Sequence, residues 1–326
     1  NVPGTTDAKV LLDLRDYTGD ALVYFEESTT GMGYNAYSTE TSWEQKGSDL
    51  DGEASGDQFG KSVSLSSDGN VLAVGGINND GNGSNSGHVR VFEWVSGVWT
   101  QRGDDLDGEA ASDQFGRVSL SSDGSILAVG APGNDGGGNS AGHVRVFSWN
   151  GNTWTQLGDD IDEAVSSSSG FSTSLSSDGT ILAIGAIRYD VVGYSDSGSV
   201  RIVQWDGYSW SQRGSYITDG QVSAYGGYTV SLSSDGNVVA CGSQRYDTAN
   251  GTNSGRVRVF EWNSSSSDWT QRGDNLDGDN AGDYYGSSVS LSSNDNILAI
   301  GGINNDTGAN NGGHSRVFEY VCFLCA

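Results

Sequence analysis

The residues with the clearest chemical potential in this chain are acidic ones that recur in a fixed phase. Asp49, Asp51, Glu53 and Asp57 return as Asp105, Asp107, Glu109 and Asp113, and again as Asn275, Asp277, Asp279 and Asp283. Oxygen ligands at alternate positions around a glycine suit Ca²⁺, which takes roughly six to eight oxygens. These carboxylates are therefore the candidate metal ligands, with calcium as the expected ion. The competing expectation is a solvated acidic turn whose carboxylates accept backbone N–H groups. Two copies degrade the pattern, at Ile161-Asp162-Glu163 and Ile217-Thr218-Asp219. His88, His143 and His314 share one repeat position, where other copies carry Ser199 and Arg256. Three such imidazoles would suit zinc, but a repeated strand-opening residue accounts for them more simply. No serine lies in a nucleophile elbow, and no HExxH or Walker pattern occurs. Nearly every acid from residue 45 onward belongs to the repeat, so no unique carboxylate pair stands out. The expectation is a protein without catalytic residues.

The elements that must position these groups are read from the repeat. LSSDG begins at Leu65, Leu120, Leu175 and Leu232, and a diverged LSSND begins at Leu291. A period of this size marks an array of supersecondary units. In each copy a first strand (SVSLS) meets a Ser-Asp-Gly hairpin turn. A second, wholly apolar strand such as VLAVG follows, then a loop, then an alternating third strand such as HVRVFEW. A fourth strand, WTQRG, leads into the acidic loop. Four antiparallel strands of this kind form a propeller blade, so the fold expected is all-β, a β-propeller with copies starting near residues 59, 115, 170, 227 and 285.

Five blades are expected, with six as the alternative. The last copy ends before a fourth strand, while SWEQKG (Ser42 to Gly47) is a fourth strand without a blade. Its pairing with SRVFEY (Ser315 to Tyr320), around Trp43, would close the ring and leave no raw edge. The chain divides into residues 1–41, an extension with strand-like AKVLLDLR and ALVYFEE that would be a partial blade or an intermolecular connector, and the propeller, 42–326.

Several repeated positions are read as structural. Trp43, Trp99, Trp154, Trp210 and Trp269 open fourth strands and should pack between blades. Arg90, Arg145, Arg201, Arg258 and Arg316 occupy one position of every third strand. A kept Arg in a sheet needs a carboxylate partner, and the loop Asp80, Asp135, Asp190, Asp247 and Asp306 are the expected partners. Cys241 takes the place of Val74, Val129, Ile184 and Ile300 and should be a small buried hydrophobe.

Phe115-Gly116 opens one first strand and Gly130-Ala131-Pro132 closes the next strand; Phe59-Gly60 and Tyr285-Gly286 open other copies. In these motifs the chain resembles the FG-GAP repeat of integrin-type propellers over roughly residues 42–320, and also the longer tandem repeats of surface and secreted proteins of marine bacteria and algae. The resemblance implies an adhesion or recognition propeller, usually without catalysis. It does not carry over the family's D-x-D-x-D-G calcium loop, because the short Ser-Ser-Asp-Gly turn stands in that place.

Composition narrows the partners. The net charge is −26, which repels nucleic acid and anionic lipid, and no apolar run is long enough to span a bilayer as a helix. Sequons at Asn82, Asn250, Asn263 and Asn305 are candidate glycosylation sites. The expected protein is secreted or held at the cell surface or matrix. It would bind extracellular protein or glycan as an adhesion or recognition module. The alternatives are a structural subunit of a filament, sheath or wall layer, which would bind copies of itself, and a lectin.

Overall fold

The structure is a computed structural model. It describes residues 10–13, 22–27, 34–38, 42–305 and 311–321, and these contain strands and turns but no α-helix. The chain separates into two compact units, 1–48 and 49–326. In the first, Val10–Asp13, Leu22–Glu27 and Tyr34–Ser38 form an antiparallel three-stranded meander. No helix in the described residues is long and apolar enough to cross a membrane.

The second unit is a five-bladed β-propeller. Blade 1 runs Phe59–Leu65, Val71–Gly76, His88–Val95 and Val98–Gln101, each strand antiparallel to the last. Blades 2, 3 and 4 repeat it from Arg117–Leu120, Ser169–Leu175 and Gly226–Leu232. Blade 5 has Tyr285–Leu291, Ile297–Gly302 and His314–Glu319. The second strands are apolar on both faces, and in blades 2–4 each is central in its sheet and covered by a blade on either side; Ile181–Ala186 is buried throughout. Hairpins turn where the sequence places Ser-Asp-Gly. Ser66 Oγ donates to Asp68 Oδ1 (2.6 Å) and accepts from Val71 N (2.9 Å), while Gly69 takes the left-handed conformation that the turn demands.

Blades pack through contacts repeated from one to the next. Val118, Leu120 and Leu127 of blade 2 bury against Val71, Val89 and Val91 of blade 1. The glycines of the Phe-Gly and Gly-Ala-Pro segments are explained here. A Cβ on Gly130 would run into the Gly170 carbonyl, and Gly75/Gly116, Gly185/Gly227 and Gly242/Gly286 repeat this backbone approach. Two ladders of hydrogen bonds join the blades. Leu120 N donates to Ser64 Oγ (2.9 Å), Leu175 N to Ser119 Oγ (2.9 Å), Leu232 N to Ser174 Oγ (3.0 Å) and Leu291 N to Ser231 Oγ (3.0 Å). Between hairpin turns, Ser67 N donates to Ser122 O, Ser122 N to Ser177 O, Ser177 N to Ser234 O and Ser234 N to Ser293 O.

The ends of the array differ from its interior. Among the described residues neither ladder continues from blade 5 to blade 1: Ser293 N has no bond to Ser67 O, and Leu65 N none to Ser290 Oγ. Val63 and Leu65 are 61% and 56% exposed, whereas Val118 and Leu120 are 7% and 8% exposed. Val317 is 70% exposed where Val91 is 2% exposed. The expected ring-closing strand is not formed. Ser42 to Gly47 has no strand structure, Trp43 is fully exposed, and blade 5 keeps three strands among the described residues.

Candidate functional site

The acidic loops and the three histidines lie at one end of the blades. Strand pairing sets this: Phe59 pairs Gly76, which pairs His88. The acidic loop that follows each of blades 1–4 then folds back onto the third strand through a short extra strand. In blade 1 this is Leu106–Asp107, with His88 opposite Asp107 and Val89 opposite Leu106. Ile161–Asp162, Ile217–Thr218 and Leu276–Asp277 do the same in blades 2–4. Two-residue strands leave no periodic signal, so the sequence did not announce this fold-back. It sets the loop carboxylates against the third strand.

The carboxylates of one acidic loop divide between different tasks. Asp57, Asp113 and Asp283 are buried. Asp113 Oδ2 accepts from Glu109 N (3.0 Å), Ala110 N (2.9 Å) and Asn134 Nδ2 (3.1 Å). Asp283 Oδ2 does the same with Asp279 N, Asn280 N and Asn305 Nδ2. Asp57 bonds Ala54 N and Asn79 Nδ2. These aspartates close the turn and tie it to a buried Asn of the next loop, a partner that the recurring Asn-Asp pair (Asn79-Asp80, Asn134-Asp135, Asn305-Asp306) could have signalled. Asp49 and Asp51 are exposed. Asp107 has its carboxyl raised above the usual range, first by burial and then by the neighbouring Asp105 charge. Among the described residues, every group of three or more metal-ligating side chains that comes together contains a histidine.

Those groups are Glu53–His88–Asp105, Glu109–His143–Asp160 and Asp279–Asp283–His314. His88 Nδ1 lies 3.8 Å from Glu53 Oε2 and 3.7 Å from Asp105 Oδ2. His143 Nδ1 lies 3.8 Å from Asp160 Oδ2 and 3.9 Å from Asp162 Oδ1. Both imidazoles are buried. Burial pulls the His143 pKa below its ordinary value, against the raising effect of Asp160, so the ring is biased toward its neutral form.

The repeated arginines take partners other than those expected from sequence. Arg90 pairs with Glu53 (3.9 Å), Arg145 with Glu109 (3.6 Å), Arg201 with Glu163 (3.7 Å), Arg258 with Asp219 (2.6 Å) and Arg316 with Asp279. Arg145 also donates to the Asp107 carbonyl (2.5 Å) and lies over the Phe115 ring (4.3 Å). Asp80, Asp135, Asp190 and Asp247 instead accept the backbone N–H of Asn85, Ser140, Asp196 and Asn253, closing their own loops. Asp306 lies outside the described residues.

Trp154, Trp210 and Trp269 pack at blade contacts, where their Nε1 groups donate to the carbonyls of Arg102, Leu157 and Arg213 in the preceding blade. Trp99 packs edge-on against Trp94. Cys241 is buried in the core, its thiol pushed up to about 12 by burial. Asn82, Asn250 and Asn263 are exposed, while Asn305 is buried and its Nδ2 donates to Asp283 Oδ2.

Polar clefts also open at this end. One of about 390 Å³ is lined by Glu53, Asp57, Asn79, Asp80 and Asn85. Another, of about 520 Å³ between blades 2 and 3, is lined by Gln114, Asp135, Asn139, Ser140, Phe171 and Arg188.

Fold and loops together define a propeller of repeated blades with an acidic, polar loop end. Residues 44–92 match the FG-GAP repeat family. No curated protein sequence matches the chain. The periplasmic gluconolactonase of Pseudomonas aeruginosa is similar in structure, at TM-score 0.50 and 16% identity over 90% of this chain and 75% of that one. TolB of Agrobacterium tumefaciens gives TM-score 0.42 and 14% identity over 96% and 87%. Hydrazine synthase of Kuenenia stuttgartiensis gives TM-score 0.47 and 13% identity over 79% of this chain; the match spans only 59% of that chain. At these identities the likeness concerns the fold alone.

Proposed function

We propose that this chain is an extracellular, non-catalytic recognition propeller that binds protein or glycan at its loop end. The observation that carries this reading is the recurrence of polar clefts built from the same Asn, Asp and Ser positions of successive blades. Clefts that share equivalent loop positions suit repeated weak contacts with a repeating ligand, whose avidity grows with the number engaged. The FG-GAP repeat at residues 44–92 supports an extracellular setting. The test is binding of the purified chain to a glycan array and to immobilised extracellular matrix proteins. Binding that Asn139→Ala and Arg188→Ala reduce supports the reading. Binding that ignores both variants, or none on either surface, counts against it.

A second reading, a structural subunit, is favoured by the end faces. Val63 and Leu65 on blade 1 and Val317 on blade 5 expose the two halves of the contact that joins neighbouring blades inside the chain. Blade 5 of one copy against blade 1 of another would be a heterologous, head-to-tail contact, which builds open chains. Light scattering on the native protein separates the readings: a polymer dispersed by Val63→Asp supports the subunit, and a 34.1 kDa monomer removes it.

A further inference from the structure

We propose that blades 1 and 2 each bind a divalent first-row transition ion, zinc by its ligand chemistry, at Glu53–His88–Asp105 and Glu109–His143–Asp160. The inference is independent of the ligand at the clefts. Four observations carry it.

The first is an unpartnered imidazole. His88 is fully buried, and neither of its ring nitrogens has a hydrogen-bond partner. Its Nδ1 faces two carboxylate oxygens at 3.7 and 3.8 Å, too far for hydrogen bonds. A buried polar group without a partner is costly.

The second is the spacing. All three ligand atoms lie within 4.8 Å of one another. With His88 Nδ1 at 3.7 and 3.8 Å from the two carboxylate oxygens, a point equidistant from the three atoms lies no more than about 2.4 Å from each, close to zinc bonds to imidazole nitrogen and carboxylate oxygen. A nitrogen donor and three protein ligands argue against calcium, which prefers more numerous oxygens.

The third is orientation from behind. Gln101 Nε2 donates to Asp105 Oδ1 (2.6 Å) and leaves Oδ2 toward His88. Gln156 repeats this on Asp160 Oδ1 (2.7 Å), leaving Oδ2 toward His143. Arg90 lies nearest to Glu53 Oε1, while Oε2 faces His88 and accepts a long hydrogen bond from Asn79 Nδ2 (3.4 Å). Such supporting contacts are what hold ligands ready for a metal.

The fourth is coincidence between copies. Where the histidine is present, in blades 1 and 2, the facing acid is Asp105 or Asp160; where it is Ser199 or Arg256, that position is Tyr216 or Asn275. In blade 4 the Arg brings its own positive charge and pairs with Asp277 at 2.6 and 2.9 Å. The carboxylate thus accompanies the imidazole. Blade 5 is excluded. Asp283 Oδ2 is already occupied by three N–H donors.

The experiment is zinc titration of the chelator-treated full chain by calorimetry, with bound metal counted by elemental analysis and calcium as control. Uptake of two zinc ions, falling to one in His88→Asn and to none in the His88→Asn/His143→Asn double variant, supports the proposal. Asp105→Asn and Asp160→Asn keep the packed imidazoles and guard against misfolding; each should weaken its own site about tenfold or more. No zinc uptake by the wild-type chain, or uptake that the histidine and aspartate variants leave unchanged, overturns it.

Discussion

The contacts between blades 1 to 5 and the two outer faces of the array are made of the same residues in opposite surroundings. Inside, Leu120, Leu175 and Leu232 pack against the preceding blade, their N–H groups held by one of its serines. Outside, Leu65 holds the same place in its strand, exposed and without that serine. Strand sequence is therefore not what buries a residue here; the presence of an adjoining blade is. The same side chain contributes to stability only where a second sheet removes it from water.

The largest expected contrast follows directly. Leu175→Ala should cost about 2–5 kcal/mol, and Leu65→Ala less than about 0.5 kcal/mol, in denaturant unfolding. Equal losses would mean that the blade 1 face is covered in solution, and the comparison would fail.

Glycines sharpen the contrast next. Gly130→Ala places a methyl against the Gly170 carbonyl, a backbone atom that cannot move without parting the blades. A loss of about 1–3 kcal/mol is expected. At Gly301 a Cβ meets chiefly Ser288 Oγ, a side chain able to rotate, so Gly301→Ala should shift the melting temperature far less.

The tryptophans give a smaller effect. Trp154→Phe removes the Nε1 bond to the Arg102 carbonyl (2.8 Å), worth about 0.5–1.5 kcal/mol. Trp43 is fully exposed, and Trp43→Phe should leave unfolding unchanged. A matching loss at both would seat Trp43 as the sequence reading had it.

The smallest effect is acid sensitivity of the hairpin turns. Hydrogen bonds from Ser121 and Ser125 hold the Asp123 carboxyl below its ordinary 3.8 despite burial, and Asp178 and Asp235 are held likewise. A depressed folded pKa means that the unfolded chain binds the proton first. The stabilisation is thus full above the unfolded value and fades as pH falls through the folded one. Blade 5 has Asn294 in this place and should not respond. Carboxyl-carbon NMR titration checks it, and midpoints at or above 3.8 would contradict the assignment.

Much of this was legible in the chain itself. The period, the four strand types, the Ser-Asp-Gly hairpins, the buried Cys241 and the inter-blade tryptophans follow from alternation, turn chemistry and residue size, which are local properties repeated in phase. The partners of the arginines were not legible. Arg145 meets Glu109 rather than Asp135 because the acidic loops lie against the third strand, where short extra strands dock them, and that docking is set by pairing between distant residues. The meeting of His88 with Glu53 and Asp105, from loops on either side of a blade, has the same origin. The sequence by itself determined the blade; tertiary structure decided which blades meet, because burial and charge pairing depend on neighbours that no local pattern names.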